Sequence, residues 1–248
     1  MWIAESNPVA VLVVPDPEAS KKITNYEKPV IKVLPNGLTV ITQYDSYADM
    51  VALHLLTANP GSDLAGVPRV VAEMLDSGTE KMTADELQQS LKQSGIRTKL
   101  ADWAWLPFDD YYDSTEYNYF RMECLSGDLS QAIQLMSQMA FSSVLPDTAW
   151  ENSSRTMRMM AGRNMKSASA RSKQGLRQAM FQNAYFQQGR LPGMRDISGI
   201  NPELLRTYYQ ETYVPGNCIL SVVGNVLPDQ LMAEVEASFG QLESGTPT

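Results

Sequence analysis

The order of apolar and polar positions near residue 30 predicts the start of a sheet. Two runs rich in strand-forming residues, within "VIKVLPNGLTVITQY", flank Asn36 and Gly37. Asn-Gly between such runs is a strong signal for a β-hairpin, since both residues accept positive φ. The next run, "MVALHLLTA" at residues 50–58, predicts a third strand.

Helical periodicity follows these strands. Between residues 67 and 76, five apolar residues fall on one face of a helix, which predicts a helix there: Val67, Val70, Val71, Met74 and Leu75. Thr83 and Glu86 have the spacing of a capping box, so a second helix is expected to begin there and to end at Ser94-Gly95.

The central part of the chain predicts two strands and then a long helical region. The strands are "IRTKLADW" and "YNYFRMECLS", which are rich in β-branched and aromatic residues. Asp128 is placed to cap the helix "LSQAIQLMSQMAF". Helical sequence then runs from Asp147 to about Tyr185, with a break expected near Gly162 or Gly175.

The last elements complete an α+β pattern. A helix with an Asn cap is predicted at residues 201–213, followed by the strand "NCILSVVGN" and the helix "LPDQLMAEVEASFG". The order indicates a mostly antiparallel sheet with helices packed on it. We expect a linker with a short strand at residues 1–28, a single domain at 29–242 and a tail at 243–248.

Composition excludes several function classes. The net charge is −8, and an acidic chain repels nucleic-acid phosphates. No window has the ~20 apolar residues of a membrane span. The two cysteines, Cys124 and Cys218, occupy strand-like apolar runs and are expected to be buried free thiols.

These elements resemble a roll domain of the pitrilysin/insulysin family of zinc peptidases, which includes the mitochondrial processing peptidases. The resemblance covers roughly residues 30–242 and rests on five segments in order. They are "LPNGLTVI", "NPGSDLAGVP", "EMLDSGTEKMTADELQQSLKQSG", "YYQETYVPGNCILSVVGNV" and "SFGQL". The resemblance implies a metallopeptidase-like α/β roll.

The family's catalytic motif is His-x-x-Glu-His on a helix, in which the histidines bind zinc and the Glu activates water. By the resemblance, Arg69 stands at the first His, Ala72 at the catalytic Glu and Glu73 at the second His. The third ligand of the family falls in "ENSSRTMRMMAGR", where Met157, Arg158, Met159 and Met160 occupy the corresponding region.

Residue chemistry argues independently against a zinc site. A guanidinium cannot ligate zinc, alanine cannot carry a proton, and the chain has one histidine, His54. We therefore expect no catalytic residue, no bound metal and no cofactor. Arg69 and Glu73 are four residues apart, so an ion pair on the helix surface is expected, worth a few tenths of a kcal/mol if exposed.

Three functions are considered. The first is a noncatalytic half of a pitrilysin-type zinc peptidase, which shapes the substrate chamber, holds extended peptide and pairs with a zinc-bearing homologous domain or subunit. The alternative is a purely structural assembly subunit without peptide binding, like the core proteins of the respiratory bc1 complex. An enzyme with different chemistry is the third. The linker-like start favours part of a longer bacterial protein, periplasmic or secreted.

Several residues keep two interpretations. His54 is interpreted as structural, since no G-x-S-x-G motif supplies a nucleophile for it. The acidic "FDDYYDSTE" is interpreted as a turn, and Tyr111, Tyr112, Tyr117 and Tyr119 as strand formers or chamber-facing groups. The basic run from Arg155 to Arg177 is either a solvated helix face or a contact for an acidic partner domain.

Overall fold

The computed structural model describes residues 28–60, 66–102, 114, 116–181 and 193–247. Six strands and eight helices occur in these ranges. The strands are β1 Val30–Val33, β2 Thr39–Tyr44, β3 Met50–Ala58, β4 Arg97–Lys99, β5 Tyr117–Leu125 and β6 Cys218–Gly224. The helices are α1 Val67–Met74, α2 Ala84–Gln93, α3 Leu129–Phe141, α4 Asp147–Lys166, α5 Ala168–Met180, α6 Met194–Gly199, α7 Pro202–Thr212 and α8 Pro228–Ser238.

The six strands form one sheet in the order β1-β2-β6-β3-β5-β4. All neighbouring pairs are antiparallel except β2 and β6, which are parallel. The fold class is thus the expected α+β arrangement with a mostly antiparallel sheet. The last strand of the described chain lies in the interior of the sheet, between β2 and β3.

Helices pack on one face of this sheet. Side chains that alternate along β3, β5 and β6, including Leu53, Phe120 and Leu220, are buried in one continuous apolar core with residues of α1, α3, α7 and α8. Alternate residues of a strand point to opposite faces, so the intervening side chains point away from the helices.

Local signals explain several element boundaries. Thr83 accepts a hydrogen bond from the Glu86 amide while the Glu86 carboxylate accepts from Thr83, which confirms the capping box at the start of α2. The Asn201 side chain caps α7 by accepting from the Leu204 amide at 2.9 Å. The hairpin at Asn36-Gly37 is also confirmed, with Gly37 at a φ of 93°.

Other boundaries differ from the predictions. The helical region is broken at Ser167, whose side chain accepts from the Ala170 amide, whereas Gly162 and Gly175 lie inside α4 and α5. Because a Ser that caps a new helix satisfies freed amides, it breaks the helix more effectively than an isolated Gly. Asp128 precedes α3 but makes no side-chain cap; a short 3-10 turn leads into the helix instead.

Candidate functional site

Helix α1 brings the predicted motif positions Arg69 and Glu73 together. Arg69 Nε donates to Glu73 Oε1 at 2.8 Å. The expected ion pair therefore forms, but it is not on the surface: Arg69 is only 4 % exposed and the Glu73 side chain 15 %. Ala72, between them, is buried in the core.

The guanidinium of Arg69 also joins α1 to the end of the sheet. Its Nη2 donates to the backbone carbonyl of Asp102 at 2.8 Å. The Asp102 carboxylate in turn accepts from the Tyr119 hydroxyl at 2.7 Å and lies 3.1 Å from Lys99 Nζ. The result is a largely buried polar cluster, which we call the Arg69 cluster and which consists of Arg69, Glu73, Asp102, Tyr119 and Lys99.

The Arg69 cluster does not fit a zinc ion. Its central group is a guanidinium cation, which has no lone pair to offer a metal and which holds Glu73 Oε1 in an ion pair. Zinc sites in peptidases need three protein ligands drawn from His, Glu, Asp or Cys. Among the residues the structure describes, no group of three or more His, Cys, Asp or Glu could hold a metal ion.

Helix α4 packs against α1, as the third-ligand helix of the family would. Among the described side chains of α4, the buried ones are Trp150, Ser154, Met157 and Ala161, spaced at three and four residues. No carboxylate or imidazole occurs in this buried stripe. Of the four residues in the expected third-ligand region, Met157 is buried and Met160 half-buried, whereas Arg158 and Met159 are exposed.

His54 lies at the centre of the sheet on β3, paired with Arg121 of β5 and Ser221 of β6. Its ring meets Tyr119 edge to face with a centroid separation of 5.8 Å. Burial, and to a smaller extent the positive charge of Arg121, lowers the pKa of His54 below its usual value. A structural role for His54 stays a prediction.

The two cysteines are free and buried, as expected. Burial is the main cause that raises the pKa of Cys124 to about 11 and that of Cys218 to about 12. The Thr57 hydroxyl lies 3.4 Å from Cys218 Sγ. Both thiols therefore stay protonated at neutral pH, which makes them poor nucleophiles.

We call the face of the sheet opposite the helices the open face. Its side chains are mainly apolar at one edge of the sheet and charged at the other. On β1, β2 and β6 it carries the apolar residues Ile31, Val33, Ile41, Ile219 and Val223, of which four are exposed by 39 % or more. On β4 and β5 it carries Arg97, Lys99, Arg121 and Glu123, with an ion pair between Arg121 and Glu123. Tyr119 of β5 lies on the same face and is buried.

Sequence reasoning missed the partners of Arg69. Asp102, Tyr119 and Lys99 are separated from Arg69 by at least 30 residues, and only the pairing of β4 with β5 brings them to one place. The i, i+4 spacing of Arg69 and Glu73 was the one local signal of this cluster. Tyr111, Tyr112 and most of "FDDYYDSTE" lie outside the described residues.

Comparison with known sequences finds one matching family model and a curated relative. The family model described as the peptidase M16 inactive domain matches residues 199–248. An uncharacterized zinc protease of Rickettsia felis is 20 % identical over 219 residues, or 87 % of this chain and 50 % of that protein. The chain therefore spans about half the length of the curated relative it matches.

Solved structures share the fold. The peptidase M16 inactive domain from Pseudomonas fluorescens matches with a TM-score of 0.78 at 14 % identity, covering 90 % of this chain and 52 % of that one. The periplasmic protease PqqL from Escherichia coli matches with a TM-score of 0.76 at 19 % identity, covering 90 % of this chain and 25 % of that one.

The fold and the Arg69 cluster define a metallopeptidase-like roll that lacks the His-x-x-Glu-His motif. The matches confirm the resemblance to the pitrilysin/insulysin, or M16, zinc peptidases: this chain is similar in sequence and fold to inactive domains of that family. No helix among the described residues is long and apolar enough to cross a bilayer.

Proposed function

We propose that this roll is the noncatalytic half of a pitrilysin-type zinc peptidase, and that its open face forms a wall of the substrate chamber. The observation that carries the proposal is the one-sided sheet. Among the described residues, helices cover one face, while the other presents exposed apolar side chains such as Ile219 and Val223 beside charged residues of β4 and β5. An apolar area rimmed by charge is typical of a binding surface.

The same arrangement suits extended peptide. Apolar side chains of a substrate segment would lie on β1, β2 and β6, and its charged groups would reach Arg121, Glu123 and Arg97. Catalysis belongs to a zinc-bearing homologous domain or subunit, because Arg69 and Ala72 offer no ligand and Glu73 alone cannot complete a set of three protein ligands. The relatives, being longer than this chain, have room for such a partner.

Peptide binding tests the proposed wall. Fluorescence anisotropy with labelled casein-derived peptides should show saturable binding, and the double variant Ile219→Lys, Val223→Lys should abolish it. Val144→Lys is the matched control, since Val144 is 45 % exposed but lies outside the sheet. Absence of saturable binding in the unmodified chain would reject the wall and favour the assembly subunit without peptide binding.

Mixing tests the proposed pairing separately. A purified zinc-bearing homologous half should bind this chain and gain peptide hydrolysis that EDTA removes. If the two halves neither associate nor change each other's activity, the pairing is wrong. Hydrolysis by this chain alone that survives exhaustive EDTA treatment would instead favour an enzyme with different chemistry.

A further inference from the structure

Positive charge is concentrated in one stretch of this acidic chain. Residues 152–195 contain no Asp or Glu but hold nine of the 20 Lys and Arg residues. All 28 acidic residues and only 11 basic ones lie elsewhere. The segment from residue 207 onward has no Lys or Arg and contains Glu211, Asp229, Glu234, Glu236 and Glu243.

We call α4 from Arg155 onward, together with the whole of α5, the basic arm. None of the side chains of α5 is buried, and α5 follows α4 directly after Ser167. The basic side chains are exposed: Arg155, Arg158, Arg163, Lys166, Arg171, Lys173 and Arg177. A helix with no buried side chain gains little stability from packing within its own domain.

The basic arm also exposes apolar groups. Met159, Met165, Leu176 and Met180 are each more than half exposed. Ala168, Leu176, Ala179 and Met180 share one side of α5 at helical spacing, with Lys173 beside Met180 and with Arg171 and Arg177 flanking that side. Methionine adapts to irregular partner surfaces, so this combination is typical of a protein contact.

The distribution of charge along the chain indicates which partner the basic arm binds. We propose that the basic arm docks on the acidic surface of a second copy of this chain, formed by α8 and the residues after it. Asp229 and Glu243 are exposed there, as is Glu236, whose carboxylate is paired with Lys32. Since α8 packs against α3 and β2 while α5 continues from α4 after Ser167, the two surfaces belong to different helices of the roll. A two-fold pair satisfies both contacts at once.

Other anionic partners fit less well. Interfacial membrane helices bury Trp, Phe and Leu, whereas the apolar side of α5 has one Leu and no aromatic residue. Nucleic acid would meet the strongly acidic remainder of the chain. This self-association goes beyond the proposed peptidase role and does not depend on it.

Sedimentation velocity on the 248-residue chain tests the proposal. We expect a dimer in 20 mM NaCl that dissociates in 500 mM NaCl, since ion pairs between exposed groups are screened by salt. The triple variant Arg171→Glu, Lys173→Glu, Arg177→Glu should dimerise about tenfold more weakly or not at all. The uncharged change Leu176→Ser with Met180→Ser should also weaken the dimer.

The control variant is Lys28→Glu, Lys81→Glu, Lys92→Glu, which changes three exposed basic residues outside the arm by the same total charge. It should retain the dimer, and circular dichroism should show that all variants are folded. A monomer at 100 µM in low salt overturns the proposal. So does a dimer that the arm variant leaves intact, or binding of α5 to phosphatidylglycerol vesicles without any dimer.

Discussion

At the scale of single residues, Arg69 shows how an inactive motif becomes part of the core. Its guanidinium gives hydrogen bonds to Glu73 and to the Asp102 carbonyl, and the side chain is almost fully buried. A buried cation is tolerated only when its donors are satisfied and a counter-charge is near. The cluster therefore ties α1 to the residues after β4.

Removing one member of this pair should be costly. Arg69→Met leaves the Glu73 carboxylate largely buried without the guanidinium charge beside it, and we expect the free energy of unfolding to fall by about 3 kcal/mol. The double variant Arg69→Met, Glu73→Leu should lose less, since the carboxylate is removed as well. Urea denaturation measures both. Lys32→Met, which breaks a pair with Glu236 whose partners are about half exposed, should cost at most ~1 kcal/mol.

An equal loss of unfolding free energy in Arg69→Met and Lys32→Met would contradict the buried role of the Arg69 cluster.

The environment of Arg69 could be predicted from the sequence only in part. The spacing of Arg69 and Glu73 predicts their contact, because both lie on one helix. Their burial depends on Asp102 and Tyr119, whose approach is set by strand pairing far along the chain, so the expected surface pair was wrong in its environment.

At the scale of elements, the effect of a glycine on stability depends on where it lies in its strand or helix. Gly224 ends β6 at a φ of 149°, and a Cβ there would lie 2.2 Å from the Met50 carbonyl oxygen. Gly175 lies within exposed α5, where an added Cβ would meet nothing within 4 Å. One glycine is required by a close backbone approach, whereas the other weakens a helix.

Substitution by alanine should therefore have opposite effects at these positions. Gly224→Ala should lower the free energy of unfolding by about 2 kcal/mol or more, since the backbone at Met50 must move. Gly175→Ala should raise helix stability by about 0.5–1 kcal/mol. Thermal and urea denaturation of the two variants, compared with the unmodified chain, measure the difference. Similar effects at both sites would contradict the close approach at Gly224.

Elements with explicit local chemistry are predictable from the sequence, and those without it are not. The capping box of Thr83 and Glu86 marks the start of α2, and Asn201 marks the start of α7. The break at Ser167 differs from the one expected at a glycine, because a capping hydroxyl outweighs the low helix propensity of glycine. Sheet order, including the parallel pairing of β2 with β6, has no local signal, since the paired residues are more than 170 positions apart.

At the scale of the whole molecule, restoring the motif should not restore an enzyme. We expect no zinc-dependent peptide cleavage from the triple variant Arg69→His, Ala72→Glu, Glu73→His. The buried stripe of α4, the helix that packs against α1, offers Met157 and Ser154 rather than a carboxylate, so the third ligand is missing. Hydrolysis assays with added zinc measure this, with circular dichroism as the check on folding. Robust cleavage that EDTA removes would refute it.

The interior position of β6 has a consequence for biosynthesis. Until residue 224 has left the ribosome, β2 and β3 have no neighbour on the side that β6 will occupy, and their amides and carbonyls face water or other chains. Contacts between such distant residues form slowly, and open strand edges promote aggregation. A nascent roll of this kind has the greatest need of chaperone protection just before its final strand emerges.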